Sequence, residues 1–511
     1  MDLEIVLNAD SGTPLYEQIY RDIRERIRSG DLTAGERLPS TRLMSQNLHV
    51  ARSTVELAYE QLEAEGYIEK RQGSGAYVCD IGHIPELSRA VREEPVPAAG
   101  PAAAPSAPSG SGIRIDFSPR TIDMSAFPYA TWRRIMRGIL TGDRADLFSR
   151  GDPKGDLSLR TTIARYLHLA RGCSCTPEQI VIGAGNDYLM MLLAMVLGEG
   201  RRIGMESPTY LRAAGIAAAM HDTVVPIRSD ASGMDIRALA EADCSLAYVM
   251  PTRQYPTGSA MPWPRRSQLL QWAAASPDRF IIEDDYDSEF KYRGRPVPSL
   301  QSQDAAGRVI YIGTFSKSIA PAVRVSYLIL PPSLADLFRE RAGILSCTVP
   351  RMDQAILDEF IRDGYFERHL NRMRSRYRAK HDLMLEVLAP FAGSDTAASG
   401  FRITGTGAGL HLVLEVLHPE GLPSEIMNPS CHAVPGAGSD PVRVRNIRIE
   451  TDLAARAAAA GVHVYPMSEA YLDGPLPEGQ QTPPAILLGY AALTEDEIRK
   501  GAEFLAHAWV M

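Results

Sequence analysis

Lys317 lies in VIYIGTFSKSIAPAVR among groups that suit an amine acting as a nucleophile. A lysine that forms a Schiff base must be neutral when it attacks, which calls for an apolar approach and a nearby proton acceptor. The same stretch carries Thr314, Ser316 and Arg324, two hydroxyls and a guanidinium suited to charge-assisted hydrogen bonds with a phosphate dianion. Upstream, VIGAGND ends a predicted strand and opens a predicted helix. The amides of Ala184, Gly185 and Asn186 would there meet the phosphate at a helix N-terminus. Asp284, in FIIEDDYDSEF, supplies a carboxylate for a protonated ring nitrogen. Tyr286, two residues on and on the same strand face, can donate to a ring phenolate oxygen, and Tyr210 in ESPTYLR is a candidate to stack on the ring. Taken singly these signals are weak, since EDDYD also suits an exposed acidic turn. Taken together they point to pyridoxal 5'-phosphate as cofactor.

The elements that must position these groups alternate. Short apolar runs (179–182, 246–250, 280–283 and 308–313) are separated by helical patterns such as 189–197 and 266–274. That alternation predicts an α/β layer with a mostly parallel sheet. A second cluster of strands and helices begins near GLHLVLEVL and predicts a smaller C-terminal α+β subdomain.

The N-terminal region reads differently. TPLYEQIYRDIRERIRS places Leu15, Ile19, Ile23 and Ile27 on one helical stripe, closed by Gly30. Two shorter helices follow, the first capped by Ser40, with a turn at His49–Val50. Val55, Ala58, Tyr59 and Leu62 form the buried stripe of the second, which leaves Arg52, Ser53 and Thr54 at its N-terminus, where a recognition helix meets DNA. YIEKRQGSGAYV alternates like a hairpin with its tip at Gln72–Gly75. The expected DNA contacts are Arg42, Arg52, Ser53, Thr54, Arg71, Gly73 and Ser74. The first 80 residues carry nine Arg plus Lys against fourteen Asp plus Glu, so binding must rest on placed residues rather than on a basic field.

Between these regions the chain is rich in Pro, Ala, Ser and Gly, and such a run buries too little apolar surface to fold. The expected domains are 1–80, a winged helix-turn-helix; 81–114, a linker; and 115–511, divided at about 395/396 into a large α/β layer and a C-terminal subdomain.

LTAGERLPSTRLMSQNLHVARSTVELAYEQLEAEGYIEKRQGSGAYV resembles the GntR-type winged helix, with Ala51 where a capping Ser is common. Residues 115–505 resemble the fold type I aminotransferases. The strings GDPKGD, QYPTG, EDDYDSEFKYRGRPVPSLQ, IGTFSKSIAPAVR and LLGYA resemble the MocR family of bacterial regulators. The resemblance implies Lys317 as the Schiff-base lysine, Asp284 rather than Asp285 as the pyridine partner, and a head-to-tail homodimer with exchanged DNA-binding modules. Three departures matter. Tyr255 replaces the Asn of the usual NPTG, so the contact to the ring oxygen is rearranged. Arg150 stands where a Tyr usually reaches the neighbouring subunit's phosphate. The run Ile486–Tyr490 lacks the Arg that usually clamps a substrate carboxylate. Arg212 and Arg253 are the candidates to hold an effector instead.

The sequence therefore predicts a transcription regulator that binds promoter repeats in double-stranded DNA and senses an amine, or pyridoxal 5'-phosphate itself, through Lys317. A working aminotransferase carrying a DNA-binding module is the alternative. Six cysteines without paired spacing and an acidic N-terminus predict a cytoplasmic protein. No metal site and no membrane span are expected.

Overall fold

In the computed structural model the described residues are 5, 7–8, 13–71, 75–79, 114–142, 144–292, 297–391, 400–417, 441–472 and 482–510. The chain divides into two compact units, Met1–Ala107 and Pro108–Met511. Residues 81–113, nearly all of the expected linker, lie outside the described residues, as do Gly73 and Ser74 at the hairpin tip.

The first unit is built on α1 (Leu15–Ser29), α2 (Thr41–Asn47) and α3 (Arg52–Ala64). Ile19, Tyr20, Ile23 and Ile27 of α1 are buried, while Leu15 is only half-buried. Gly30 closes α1 at φ 83°, in the left-handed region that a side chain disfavours. The Ser40 hydroxyl caps α2 by accepting from the Leu43 amide at 3.2 Å. All four expected residues of α3 are buried, and the Tyr59 hydroxyl donates to the Pro39 carbonyl at 2.9 Å. Strands β1 (Ile68–Arg71) and β2 (Gly75–Val78) pair antiparallel as a wing.

Ala51 precedes α3 with no side-chain cap. Ala51→Ser is therefore expected to stabilise α3 locally by about 1 kcal/mol. Amide hydrogen exchange on the full-length protein would report this as roughly fivefold slower exchange along α3. Unchanged exchange would mean that the first-turn amides are already satisfied.

The second unit carries a seven-stranded sheet: β3 (Ile180–Gly183), β4 (Arg202–Glu206), β5 (Thr223–Ile227), β6 (Leu246–Val249), β7 (Phe280–Asp285), β8 (Val309–Thr314) and β9 (Ser326–Ile329), in spatial order β3-β9-β8-β7-β6-β4-β5. Strands β4 to β8 run parallel, and β9 is antiparallel to both of its neighbours. Successive side chains alternate between faces. Met205, Tyr248, Ile282 and Ile312 pack on the layer holding α4 (Asn186–Leu197) and α5 (Leu211–Ala219). Ala247, Val249, Ile281 and Tyr311 face the opposite layer.

A smaller antiparallel sheet follows: β10 (Phe401–Thr404), β11 (His411–Val416), β12 (Tyr465–Pro466) and β13 (Ala485–Gly489), in order β10-β11-β13-β12. Its core does not stop at the expected 395/396 border, because it includes Ile115, Phe117, Leu383, Met384, Leu388 and Phe391. The reason is the 24-residue helix Tyr365–Leu388. Its N-terminal half buries Phe366 and Leu370 with the large layer, and its C-terminal half serves the small one. Among the described residues no helix is long and apolar enough to cross a membrane.

Candidate cofactor cleft and nucleic-acid face

A cleft of about 340 Å³ opens where the parallel strands end, between Tyr210, Tyr255, Asp284, Tyr286, Lys317 and the Arg120 segment. Carboxyl ends of parallel strands are where open α/β sheets usually take their ligands. Strand alternation sorts the acidic run of β7. Asp284 and Tyr286 line the cleft. Asp285 is buried on the other face, accepting from Arg171 Nε at 2.8 Å and from the Tyr311 hydroxyl at 2.5 Å. Asp284 accepts from the Tyr248 hydroxyl at 2.5 Å and from Asn186 Nδ2 at 3.3 Å. Burial raises its pKa to about 6, against the lowering effect of the Tyr248 hydrogen bond. It is therefore an anion at neutral pH, held where a cationic ring nitrogen would be welcome. The Tyr286 hydroxyl is buried without a hydrogen-bond partner, and so is the Thr209 hydroxyl at the same cleft. Such orphaned groups are costly unless a ligand satisfies them.

Lys317 is half-buried, and its ammonium donates to the Arg120 carbonyl at 2.7 Å and the Pro119 carbonyl at 3.2 Å. Burial lowers its pKa to about 8, with Asp287 opposing the shift. The folded value lies below the ordinary one of 10.5. Above about pH 8 the unfolded chain holds the extra proton, and this lysine's contribution to stability rises with pH up to the ordinary lysine range. The chemical consequence runs the same way: a neutral amine is available from about pH 8 upward. Stopped-flow capture of added pyridoxal 5'-phosphate is expected to accelerate with pH to a midpoint near 8. A midpoint in the ordinary lysine range would contradict this.

The phosphate groups named from sequence are brought to one end of the cleft, with one revision. Gly185, at φ 93°, caps α4, and any Cβ there would fall 2.2 Å from Arg324 Nη2. Asn186, Thr314, Ser316 and Arg324 line the cleft. The Thr314 oxygen accepts from the Ser326 hydroxyl at 2.8 Å and from the Ser316 amide at 3.2 Å, which leaves its own O–H to donate outward. The revision concerns the amides. That of Ala184 already donates to the Thr348 hydroxyl at 2.9 Å, and that of Gly185 to the Gly183 carbonyl at 2.8 Å. Any anion held at this end would therefore meet side chains and the start of α4 rather than three free amides.

The two candidate effector arginines separate. Arg212 lines the cleft and pairs with Asp187 at 3.1 Å. Arg253 does not reach the cleft: it is 3 % exposed, pairs with Asp287 at 2.9 Å and donates to the His411 carbonyl at 2.9 Å. It fits against Gly409, where any Cβ would meet its guanidinium at 1.8 Å, so its role here is to position the loop before β11. Tyr255 occupies the position of the usual Asn with its ring edge-on to Tyr210 and Tyr286. On β13 the wall of the cleft is Leu487, with no cation in that run. Arg150 is exposed.

Sequence reasoning missed Tyr248, Arg120 and Glu469. Tyr248 had a readable signal, since it lies on a strand next to β7 and on the Asp284 face. Arg120 stands in a turn and Glu469 in the single 3-10 turn Met467–Ala470, both too short to show periodicity, and only the folded chain brings them to Lys317.

On the first unit Arg42, Arg52, Ser53 and Arg71 are exposed, and Thr54 is half-buried. Arg52 pairs with Glu56, one helical turn further on, at 2.8 Å. Arg71 Nε bonds Glu69 at 2.7 Å and its guanidinium lies 4.6 Å from the Tyr77 ring centre. Both are weak surface pairs that a phosphate or base edge could displace.

Residues 15–78 match the family model "Bacterial regulatory proteins, gntR family", and residues 124–504 match "Aminotransferase class I and II". The chain is 32% identical to the probable rhizopine catabolism regulatory protein MocR of Rhizobium meliloti, across 99% of this chain and 96% of that protein. It belongs to the MocR family. Within the MocR family it is also 37% identical to the HTH-type transcriptional regulator YhdI of Bacillus subtilis (strain 168), across 100% of this chain and 98% of that protein. Among solved structures, the multiple substrate aminotransferase from Thermococcus profundus superposes with TM-score 0.63 at 26% identity, covering 78% of this chain and 92% of that one. The larger unit of this MocR-family chain thus has the fold of the class I and II aminotransferases, a family that depends on pyridoxal 5'-phosphate.

Proposed function

We propose that this chain is a transcription regulator whose larger unit holds pyridoxal 5'-phosphate and senses an amine, or the cofactor itself, at Lys317. The residues present suit that group. Lys317 supplies a readily deprotonated amine, Asp284 a buried carboxylate for the ring nitrogen, and Tyr286 an unsatisfied hydroxyl for the ring oxygen. Thr314, Ser316, Arg324, Gly185 and Asn186 surround the phosphate end, and Tyr210 offers a face to the ring. When bound, the group contributes an electrophilic carbon and an electron sink. The protein's part is to release Lys317 from the Arg120 and Pro119 carbonyls, hold the ring charge and exclude water.

The observation that carries the regulatory reading is Leu487. An amino-acid transaminase fixes its substrate carboxylate with a cation, and the β13 wall offers a methyl-lined surface instead. Intact Lys317 and Asp284 favour the second reading, a functional aminotransferase with an attached DNA-binding module. Arg212 remains the arginine of the original pair able to meet an effector. We propose further that the regulator works in the cytoplasm as a head-to-tail homodimer with exchanged N-terminal modules, reading repeated half-sites in promoter DNA.

The test uses a labelled duplex selected from random sequences by the full-length protein. Arg42→Ala and Arg52→Ala are each expected to weaken binding about tenfold or more, by about 1–3 kcal/mol. An effective amine is expected to change duplex affinity without accumulation of keto acid. Unaltered affinity together with sustained keto-acid release would replace this reading with the enzymatic one.

A further inference from the structure

Arg120 stands over Lys317: its own carbonyl accepts the Lys317 ammonium at 2.7 Å, and its side chain lines the same cleft. Its side chain shares the cleft lining with Tyr255, Tyr210, Tyr465 and Glu469, and its charge acts on each of them and on Lys317. Glu469 is the carboxylate nearest it in effect, but unlike the other cleft arginines Arg120 makes no close ion pair among the described residues. Arg212 is tied to Asp187 at 3.1 Å, and Arg324 shares that aspartate at 3.7 Å while donating to the Ala184 carbonyl. Among the described residues Arg120 has no ion pair of this kind. Leu487 contributes an apolar stretch of the lining, and of the three cleft arginines Arg120 is the one whose own carbonyl contacts Lys317.

We propose that Arg120 selects the effector, binding the anionic group of a short amino acid while its amine occupies the Lys317 end of the cleft. This rests on the reading above that the cleft takes an amine beside its cofactor. The distance from a residue's carbonyl to its own guanidinium is of the order of one short amino acid. An amine replacing the Lys317 ammonium would therefore bring a carboxylate or sulfonate two to four bonds away up to Arg120. Glu469 lines the cleft beside it and disfavours a second negative charge, so the class is an amine with one anionic group. Polyamines, which would set a cation against Arg120, are excluded by the same charge.

The experiment titrates full-length protein, reconstituted with pyridoxal 5'-phosphate, with matched pairs in which a methyl replaces the carboxylate: alanine and isopropylamine, β-alanine and propylamine, 4-aminobutyrate and butylamine. Absorbance of the bound cofactor gives the dissociation constants. In the wild type at least one acid is expected to bind tenfold or more tightly than its partner. Arg120→Leu should remove that difference while leaving the alkylamine affinities within about threefold, and Arg120→Lys should retain part of it. If no acid outperforms its methyl counterpart, or if the preference survives in Arg120→Leu, the assignment is overturned. Absence of any cofactor absorbance would instead refute the cofactor reading, so the two failures are distinguishable.

Discussion

Full-length protein carrying Lys317→Ala is expected to hold no covalently trapped pyridoxal 5'-phosphate. After borohydride reduction, mass spectrometry of the wild type should show one cofactor-sized adduct per chain, confined to the peptide containing Lys317. The variant should show none, although Asp284 and the phosphate-end side chains remain. The size of the effect follows from position. Lys317 is the lysine lining the cleft, and its burial lowers its pKa to about 8. An ordinary surface lysine would be almost wholly protonated at neutral pH and a poor nucleophile. An adduct of equal yield in Lys317→Ala would assign the attachment elsewhere.

Arg171→Leu is expected to destabilise the larger unit by about 3–5 kcal/mol, because it strips one partner from a buried ion pair. Arg171 and Asp285 side chains are 4 % and 2 % exposed. The guanidinium also donates to the Val297 carbonyl at 2.6 Å and the Thr252 hydroxyl at 2.7 Å, so it ties the end of β7 to two loops. Removing it leaves Asp285 with the Tyr311 and Ser288 hydroxyls but no cation. The damage reaches the cleft because Asp284 is the adjoining residue. Urea unfolding followed by tryptophan fluorescence measures the loss, and Arg171→Leu combined with Asp285→Asn should recover part of it. A loss below about 1 kcal/mol would mean that water reaches Asp285 and the pair is not buried as described.

Much of this was legible in the sequence where a local rule forces the structure. The 3.6-residue stripe of α1, the Ser40 cap and the Val55–Leu62 face each follow from helix geometry, and all three stand as expected. Strand alternation likewise separates Asp284 from Asp285 once β7 is recognised. What the sequence hid depends on long-range closure. Arg253 and Arg212 look equivalent as isolated cations, yet Asp287 and His411, brought in from other elements, bury the first and leave the second at the cleft. Ala184 seems a free amide until Thr348, far along the chain, fills it. Arg120 has no periodic context at all, and its importance emerges only when its carbonyl meets Lys317. The cores also interleave across the expected 395/396 border for a similar reason: one continuous helix, Tyr365–Leu388, serves two of them.

The most direct test of the regulatory reading follows two signals from one sample: cofactor absorbance and keto-acid production by full-length protein during titration with primary amines and amino acids. The expected result is an absorbance shift that saturates with at least one amine, accompanied by no more than one equivalent of keto acid per chain. Continued keto-acid release over many turnovers would contradict it and make the chain an aminotransferase.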